Sequence, residues 1–512
     1  MGTLKIDIAE IERMLKTMIK SLKNKPLNPG ILGPSSPTKL EKNHKFYVDQ
    51  MAEYSPITNE IRSRIIRELG DECIVSNPDE VGTYAQDASE LRFTPEMVIR
   101  VEETRQIRRL MRLANEYRFP VTPRGGGSGL AGGCLPVRGG VVLSLENMNR
   151  ILSVHTEDLV AEVQPGTLTK ALRDAAQNKG LFFPPDPAGM DQSTIGGNAA
   201  TNAGGPSCIK YGTTKDYVLG LEVVLPSGRL IKTGTRTRKG VVGYDLTQLF
   251  VGSEGTLGII TGLILKLIPF PKAVAGTSAV FNDLPVAMRA VTQILTRGHL
   301  PSAIEFLDAK CLSLVSDLLP FKVPGEKSTL LIIELDGAPE QIKHEIDVIG
   351  KICQDVGATH LLCASDKEER ERIWEMRRQV SLRIHDNSAL YIPEDVAVPL
   401  GKIPALVAEL PKFEAEYGLE IYAFGHAGDG NIHLNITAQS RDNMTRVEKG
   451  VLAILARVIQ MGGTISGEHG IGEAKKQYLS MELSAESIRL QTEIKNVFDP
   501  NMVLNPGKIF PE

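Results

Sequence analysis

The chain has 512 residues, 42% hydrophobic and 23% charged, with a formal net charge of -4. That length exceeds what one hydrophobic core usually holds, so two or more domains are expected in an ordinary soluble protein. The slight acidity excludes nucleic acid as the main partner, and the six scattered cysteines, with no Cys-x-x-Cys pair, exclude a disulfide framework or an iron–sulfur cluster.

The start, Met1-Gly-Thr-Leu-Lys-Ile6, has no long apolar core and meets Asp7, Glu10 and Glu12 early, so it does not read as a signal peptide, and Ile6 in place of Ser or Thr departs from the myristoylation pattern. No run approaches the roughly 20 apolar residues of a membrane span. A cytoplasmic protein is expected, held at a membrane through partners if at all. Leu4, Ile8, Ile11, Leu15, Met18 and Leu22 alternate spacings of four and three, the pattern of an amphipathic helix. It serves either to dock a partner or second copy, or to lie on its own domain. Asn24 to Pro37 is rich in breakers and reads as a linker.

The folded body opens with helical stretches at Glu60 to Glu68 and Thr104 to Tyr117, the latter leading into a strand over Phe119 to Thr122. Short β-rich runs then alternate with glycine clusters to about Pro271, among them Gly140 to Leu145, Leu219 to Leu225 and Ile259 to Leu267. The basic run Arg236 to Lys239 reads as a solvated loop. From about Ala273 to Met461, helices mix with strands such as Ser328 to Glu334, a separate α+β domain.

Three glycine-rich segments stand out. Pro123-Arg-Gly-Gly-Gly-Ser-Gly-Leu-Ala-Gly-Gly133 contains a formal G-x-G-x-x-G match, but no helix can follow it, so it is not a Rossmann fingerprint. It reads instead as a loop whose backbone N–H groups can turn toward an anion. Thr194-Ile-Gly-Gly-Asn-Ala-Ala-Thr-Asn-Ala-Gly-Gly205 lets backbone lie against a planar or phosphate-bearing group, with the amides of Asn198 and Asn202 as hydrogen-bonding groups. Gly252-Ser-Glu-Gly-Thr-Leu-Gly258 adds a third tight loop. Further on, Phe424-Gly-His-Ala-Gly-Asp-Gly-Asn-Ile-His433 and Ser466-Gly-Glu-His-Gly470 place His426, His433, Glu468 and His469 in glycine-dense runs. Two imidazoles and a carboxylate suit zinc, manganese or iron, and a neighbouring histidine suits proton transfer. Taken alone these runs suggest a metal hydrolase; the glycine loops point to a redox enzyme with a large phosphate-bearing cofactor.

In combination these motifs resemble the FAD-linked oxidases of the vanillyl-alcohol oxidase (PCMH-type) superfamily, within it the group of the glycolate oxidase GlcD subunit and D-lactate dehydrogenase, from about residue 57 to the end. The resemblance implies an α+β fold: a PCMH-type FAD-binding domain of two α+β lobes (55–272), an α+β cap carrying substrate and metal sites (273–480), and a C-terminal segment (481–512) that returns to the FAD domain through Phe498 to Lys508, after an N-terminal helix and linker (1–54). It implies noncovalent FAD, since the phosphate loop has no histidine, with Cys134 the residue to watch. Its expected FAD contacts are Pro123, Arg124, Gly125, Gly126, Gly127, Ser128, Gly129 and Leu130; Pro185 and Asp186; Thr194, Gly196, Gly197, Asn198, Asn202, Gly204 and Gly205; Tyr211 and Gly212; and Glu254, Gly255, Gly258, Ile260 and Asn505.

The same resemblance implies His426, His433 and Glu468 as ligands of a divalent metal, His469 as general base, Arg377 as the grip on the substrate carboxylate, Ser381 one turn later, and Asn435 as a substrate hydrogen bond. Oxidising a 2-hydroxy acid removes a hydroxyl proton and a hydride from one carbon. A hydroxyl near pKa about 15.7 and an imidazole near about 6.5 leave a gap of about 9 units, roughly 12 kcal/mol, which a cation can largely close. Relatives acting on D-2-hydroxyglutarate carry a lysine two residues before a strand aspartate. This chain has Pro393-Glu-Asp395, so a second carboxylate is expected to meet repulsion from Glu394 rather than a cation. The expected substrate is thus D-lactate or glycolate, with electrons leaving to partner redox subunits, an electron-transferring flavoprotein, a cytochrome or a quinone. The alternatives keep FAD: a flavoenzyme without net oxidation resembling alkyldihydroxyacetone phosphate synthase, or a noncatalytic electron-relay subunit. A homo-oligomer or heteromeric complex is open.

Overall fold

The computed structural model describes residues 53–320, 322–364, 366–438, 440 and 444–511. The N-terminal heptads and linker lie outside the described residues.

The first lobe is built on three parallel strands, β1 (Met97–Arg100), β2 (Val121–Arg124) and β3 (Val141–Ser144), in the order β1-β3-β2. The helices Asn59–Leu69 and Thr104–Tyr117 pack on it through Ile61, Ile65, Ile107, Leu110 and Met111. Expected positions hold for both helices, while the strand after Tyr117 begins two residues later than expected. Arg118 takes the left-handed conformation at the helix end (φ 60°), which delays it. The C-terminal segment adds to this lobe: the Val121 N–H donates to the Val503 carbonyl at 2.8 Å and the Asn505 N–H to the Val121 carbonyl at 2.8 Å.

The second lobe is an antiparallel sheet of β4 (Ile151–His155), β5 (Val160–Val163), β7 (Val218–Val224), β8 (Leu230–Gly234) and β9 (Ile259–Lys266), ordered β4-β5-β9-β7-β8. Strand β6 (Leu181–Phe182) pairs with β10 (Ile268–Pro269) beside it. The segment beginning at Thr194, legible in sequence only as flat backbone, forms a short helix, Ile195–Thr201, because the Thr194 hydroxyl accepts from the Gly197 N–H at 3.2 Å.

The remaining sheet is antiparallel and seven-stranded: β11 (Ala273–Phe281), β12 (Ala303–Leu307), β13 (Thr329–Gly337), β14 (His360–Ala364), β15 (Leu390–Ala397), β16 (Glu420–His426) and β17 (Asn431–Ala438), ordered β14-β11-β13-β12-β16-β17-β15. Side chains alternate across it. On one face Ile304, Phe306, Ile421, Ala423, Ile432, Leu434, Ile436 and Val396 join the largest core cluster, covered by the helices Leu284–Thr296, Pro339–Val356, Ile403–Tyr417 and Met444–Gln460. On the other, Leu307, Leu330, Ile332 and Phe424 meet Met376, Val380 and Ile384 of the helix Lys367–Asp386. Where that second cluster ends, the face turns polar, with Glu305, Asp395, His426, His433 and Asn435. No described helix is long and apolar enough to cross a membrane.

Candidate active site

Cross-strand register assembles the polar patch. Glu305 lies opposite His426, Phe424 opposite His433, and Asp395 opposite His433, so β12, β16, β17 and β15 each contribute to one face. The Nδ1 of His426 is in close hydrogen-bond contact with Glu305 Oε1. This leaves the His426 Nε2, buried and without a hydrogen-bond partner, 3.5 Å from Glu468 Oε1. His433 Nε2 is 3.6 Å from the same oxygen, and the two imidazole centroids are 5.2 Å apart at 88°. His469 stacks on His433 at 5.5 Å and 17°.

Glu468 and His469 reach this face on a loop that Asp395 holds. Its Oδ2 accepts from the N–H groups of Gly467, Glu468 and His469 at 2.9, 2.8 and 2.9 Å. Gly467 is obligatory there, since a Cβ would come 1.7 Å from Asn431 Oδ1. Among the described residues, Asp395, His433, Glu468 and His469 each bring one potential ligand atom within 4.8 Å of the others. Asp395 spends Oδ2 on three backbone donors while its Oδ1 is buried without a hydrogen-bond partner, and Glu305 backs His426 at Nδ1 so that Nε2 points toward Glu468.

The charges agree. Burial alone would lower the His426 imidazole, yet Glu305 and Glu468 hold it well above its ordinary value. Burial drives His433 down to about 4 despite Glu468. Against burial, His426 and Arg377 keep Glu305 below the usual carboxylate range, and His426 and His433 do the same for Glu468. His469, Lys475 and His433 hold Asp395 low in the same way.

Arg377 and Ser381 lie one turn apart on the helix Lys367–Asp386. Arg377 donates through Nε to Glu305 Oε2 at 2.8 Å and lies over the Phe424 ring at 4.3 Å. Its terminal nitrogens find no acceptor among the described residues. Asn435 accepts from the Tyr391 hydroxyl at 2.9 Å through Oδ1, leaving its Nδ2 buried and unpartnered. The expected repulsion from Glu394 is not what the structure supports. Strand alternation puts Glu394 on the opposite face, 7% exposed and 3.1 Å from Lys475, whereas Pro393 shares the face of Asn435.

A cleft runs from the first glycine loop to Glu468 and His469. Residues 123–130, Thr194, Gly196, Gly197, Asn198, Gly204, Glu254, Gly255, Gly258 and Ile260 line it. The backbone N–H groups of residues 125–130 donate to no acceptor among the described residues. Gly126 lies so close to the next segment that a Cβ would meet the Gln192 carbonyl oxygen at 2.0 Å. A row of free amides along a glycine-rich wall fits the diphosphate of a dinucleotide. Seven of the expected contacts are not among the residues lining this cleft, and each has a local structural contact. The carbonyl of Pro185 accepts from Arg173, and the carboxylate of Asp186 accepts from Ser207. Asn202 ends the helix Ile195–Thr201 in the left-handed conformation (φ 52°), and the Gly205 N–H donates to the Cys208 sulfur. Tyr211 donates to Asp336, Gly212 makes a turn, and Asn505 ties the carbonyls of Gly133 and Glu254. Two that do line the cleft are partly committed: the Arg124 guanidinium faces Cys134, Thr83 and Tyr84, and the Glu254 carboxylate accepts from the N–H groups of Ile471 and Gly472.

Sequence reasoning missed Glu305 and Lys475, and cited Asp395 only as a landmark. The signal for Glu305 was a lone carboxylate inside Ala303-Ile-Glu-Phe-Leu307, where period-two alternation demands a buried partner.

Residues 95–234 match the family described as FAD binding domain, and residues 270–509 match FAD linked oxidases, C-terminal domain. The glycolate oxidase subunit GlcD of Bacillus subtilis (strain 168) is 40% identical, covering 89% of this chain and 97% of its own. The D-lactate dehydrogenase of Anaerostipes hadrus is 36% identical over 84% and 91%. Among solved structures, an alkyldihydroxyacetonephosphate synthase aligns with a TM-score of 0.72 at 20% identity (95% of this chain, 92% of its own), and p-cresol methylhydroxylase with 0.70 at 18% (88% and 97%). At such identities these two establish a shared fold alone. Two lobes that make a glycine-lined cleft, a cap sheet that brings histidines to its end, and close sequence kinship along most of the length lead to one assignment: the chain belongs to the FAD-linked oxidase family and is an FAD-dependent oxidoreductase.

Proposed function

We propose that this chain oxidises a short D-2-hydroxy acid, D-lactate or glycolate, to the corresponding 2-oxo acid. Support comes from the two relatives named above and from one observation in particular: the buried, unpartnered Nε2 of His426 converges with His433 and Glu468 at the end of a cleft suited to FAD. His426, His433 and Glu468 would hold a zinc, manganese or iron ion, and the free amides of residues 125–130 the diphosphate of FAD. FAD, once bound, supplies a hydride acceptor, and the cation lowers the pKa of the substrate hydroxyl.

The chain's own residues do the rest. Arg377 presents its terminal nitrogens to the substrate carboxylate, a bidentate match. Asn435 Nδ2 offers a hydrogen bond from the strand beside it, and Ser381 a hydroxyl from the helix above. His469, stacked on His433 at the cleft, takes the hydroxyl proton. Pro393 faces the site where a dicarboxylate would need a cation, which favours a monocarboxylate. FAD is held noncovalently: burial raises the Cys134 thiol, a poor nucleophile in that state. Electrons then pass to an external acceptor, such as a partner redox subunit, an electron-transferring flavoprotein, a cytochrome or a quinone.

Anaerobic mixing with D-lactate or glycolate tests this: the yellow flavin absorbance should bleach, and unchanged colour across short hydroxy acids would refute it. His469→Gln should retain FAD while lowering kcat by about 10²–10⁴-fold.

A further inference from the structure

We propose that Glu305 is a shared positioning residue that aims both the metal-ligating His426 and the carboxylate-binding Arg377, so that one buried carboxylate sets two working groups at once; this rests on the function proposed above. Glu305 is 0% exposed and lies at the centre of the seven-stranded sheet, at the register position opposite His426. Its two oxygens are divided between the two residues: Oε1 faces His426 Nδ1, and Oε2 accepts from Arg377 Nε at 2.8 Å.

Each contact consumes the inward end of its partner and leaves the outward end free. His426 keeps Nε2 for an ion, and Arg377 keeps its terminal nitrogens for a carboxylate. The Phe424 ring fixes Arg377 further, with the guanidinium 4.3 Å from its centroid, and its other neighbour is His433, at 5.4 Å between centroids. Arg377 is thus wedged between Phe424, on the strand that carries His426, and Glu305, on the strand paired with it. A glutamine at 305 has one carbonyl oxygen where the carboxylate has two, so it cannot accept from both His426 and Arg377. Its N–H₂ would instead confront one of two donors. A carboxylate is required because each of the two donors takes one of its oxygens.

The test is Glu305→Gln in the full-length FAD-loaded protein. Readouts are metal affinity by chelator competition, FAD content, thermal midpoint, and KM and kcat for the hydroxy acid. The variant should keep FAD, bind the metal about 10–100-fold more weakly, and show a raised KM. Saturating metal should restore kcat while KM stays high, because Arg377 remains unaimed. Recovery of both parameters would overturn the shared role, as would wild-type metal affinity with wild-type KM. If the glutamine variant does not retain FAD, Glu305→Asp keeps the charge but shortens the reach by one methylene; retention of both wild-type metal affinity and KM by it would equally overturn the proposal. The proposed function fails separately, in the wild type: stripping the metal with chelator then leaves activity intact, or no hydroxy acid reduces the flavin.

Discussion

Replacing Lys475 by methionine should destabilise the protein by about 3–5 kcal/mol, the cost of stranding one member of a buried ion pair. Lys475 and Glu394 have side chains only 5% and 8% exposed, with Nζ 3.1 Å from Oε2. The ammonium also donates to the carbonyls of Asp395 and Ile465 at 2.8 and 2.7 Å. Methionine matches the aliphatic stem but supplies no donor, so the Glu394 carboxylate and the carbonyls of Asp395 and Ile465 lose their shared partner. Those carbonyls flank the strand and loop that position Glu468 and His469, so kcat should fall as well. Adding Glu394→Gln removes the stranded charge and should recover about 2 kcal/mol, leaving about 1–3 kcal/mol for the carbonyls. Urea unfolding of the FAD-loaded proteins, followed by circular dichroism, measures all four corners of the cycle. A Lys475→Met loss under about 1 kcal/mol, or a double variant no more stable than the single one, would refute the reasoning.

Pro393→Lys should raise the kcat/KM for D-2-hydroxyglutarate relative to D-lactate by about tenfold or more, the worth of one charge-assisted contact of about 1.5–3 kcal/mol. A substrate panel reads the ratio, which Glu394→Gln should leave unchanged because Glu394 faces away from the site. Burial pushes the Asp186 carboxyl up to about 6, against the pull of Arg173 and Ser207. A folded pKa above the ordinary value means that this group's contribution is largest in acid and is lost as pH rises from about 4 to about 6. The thermal midpoint of Asp186→Asn minus that of the wild type should therefore climb across that interval and level off above it. A flat difference would contradict the assignment.

Much of the site was legible before any fold was known. The glycine runs at 125–129 and 196–205 and the histidine–glutamate pairs are local signals, since each depends on residues within a few positions of one another. Asn435 was legible for the same reason: two residues along a strand return to the same face. What was not legible was which side chains would find a partner from elsewhere in the chain. Tyr211 donates to Asp336, and Asn505 donates through Nδ2 to the carbonyls of Gly133 and Glu254 while its Oδ1 stays buried without a partner. Glu394 follows the same rule in reverse: its strand was identifiable, but which side of that strand faced solvent, core or substrate was not.

By itself, the order of residues determined the cofactor class, the alternation along each strand, and the side chains able to ligate a cation or accept a proton. Only the folded chain decided which strands became neighbours. Glu305 and His426 are 121 residues apart and meet because β12 pairs with β16, a choice settled by the packing of the whole sheet against its helices. Backbone periodicity is encoded locally, whereas register between distant strands is a cooperative outcome of burying one apolar face, and the buried carboxylate that organises the site depends on it.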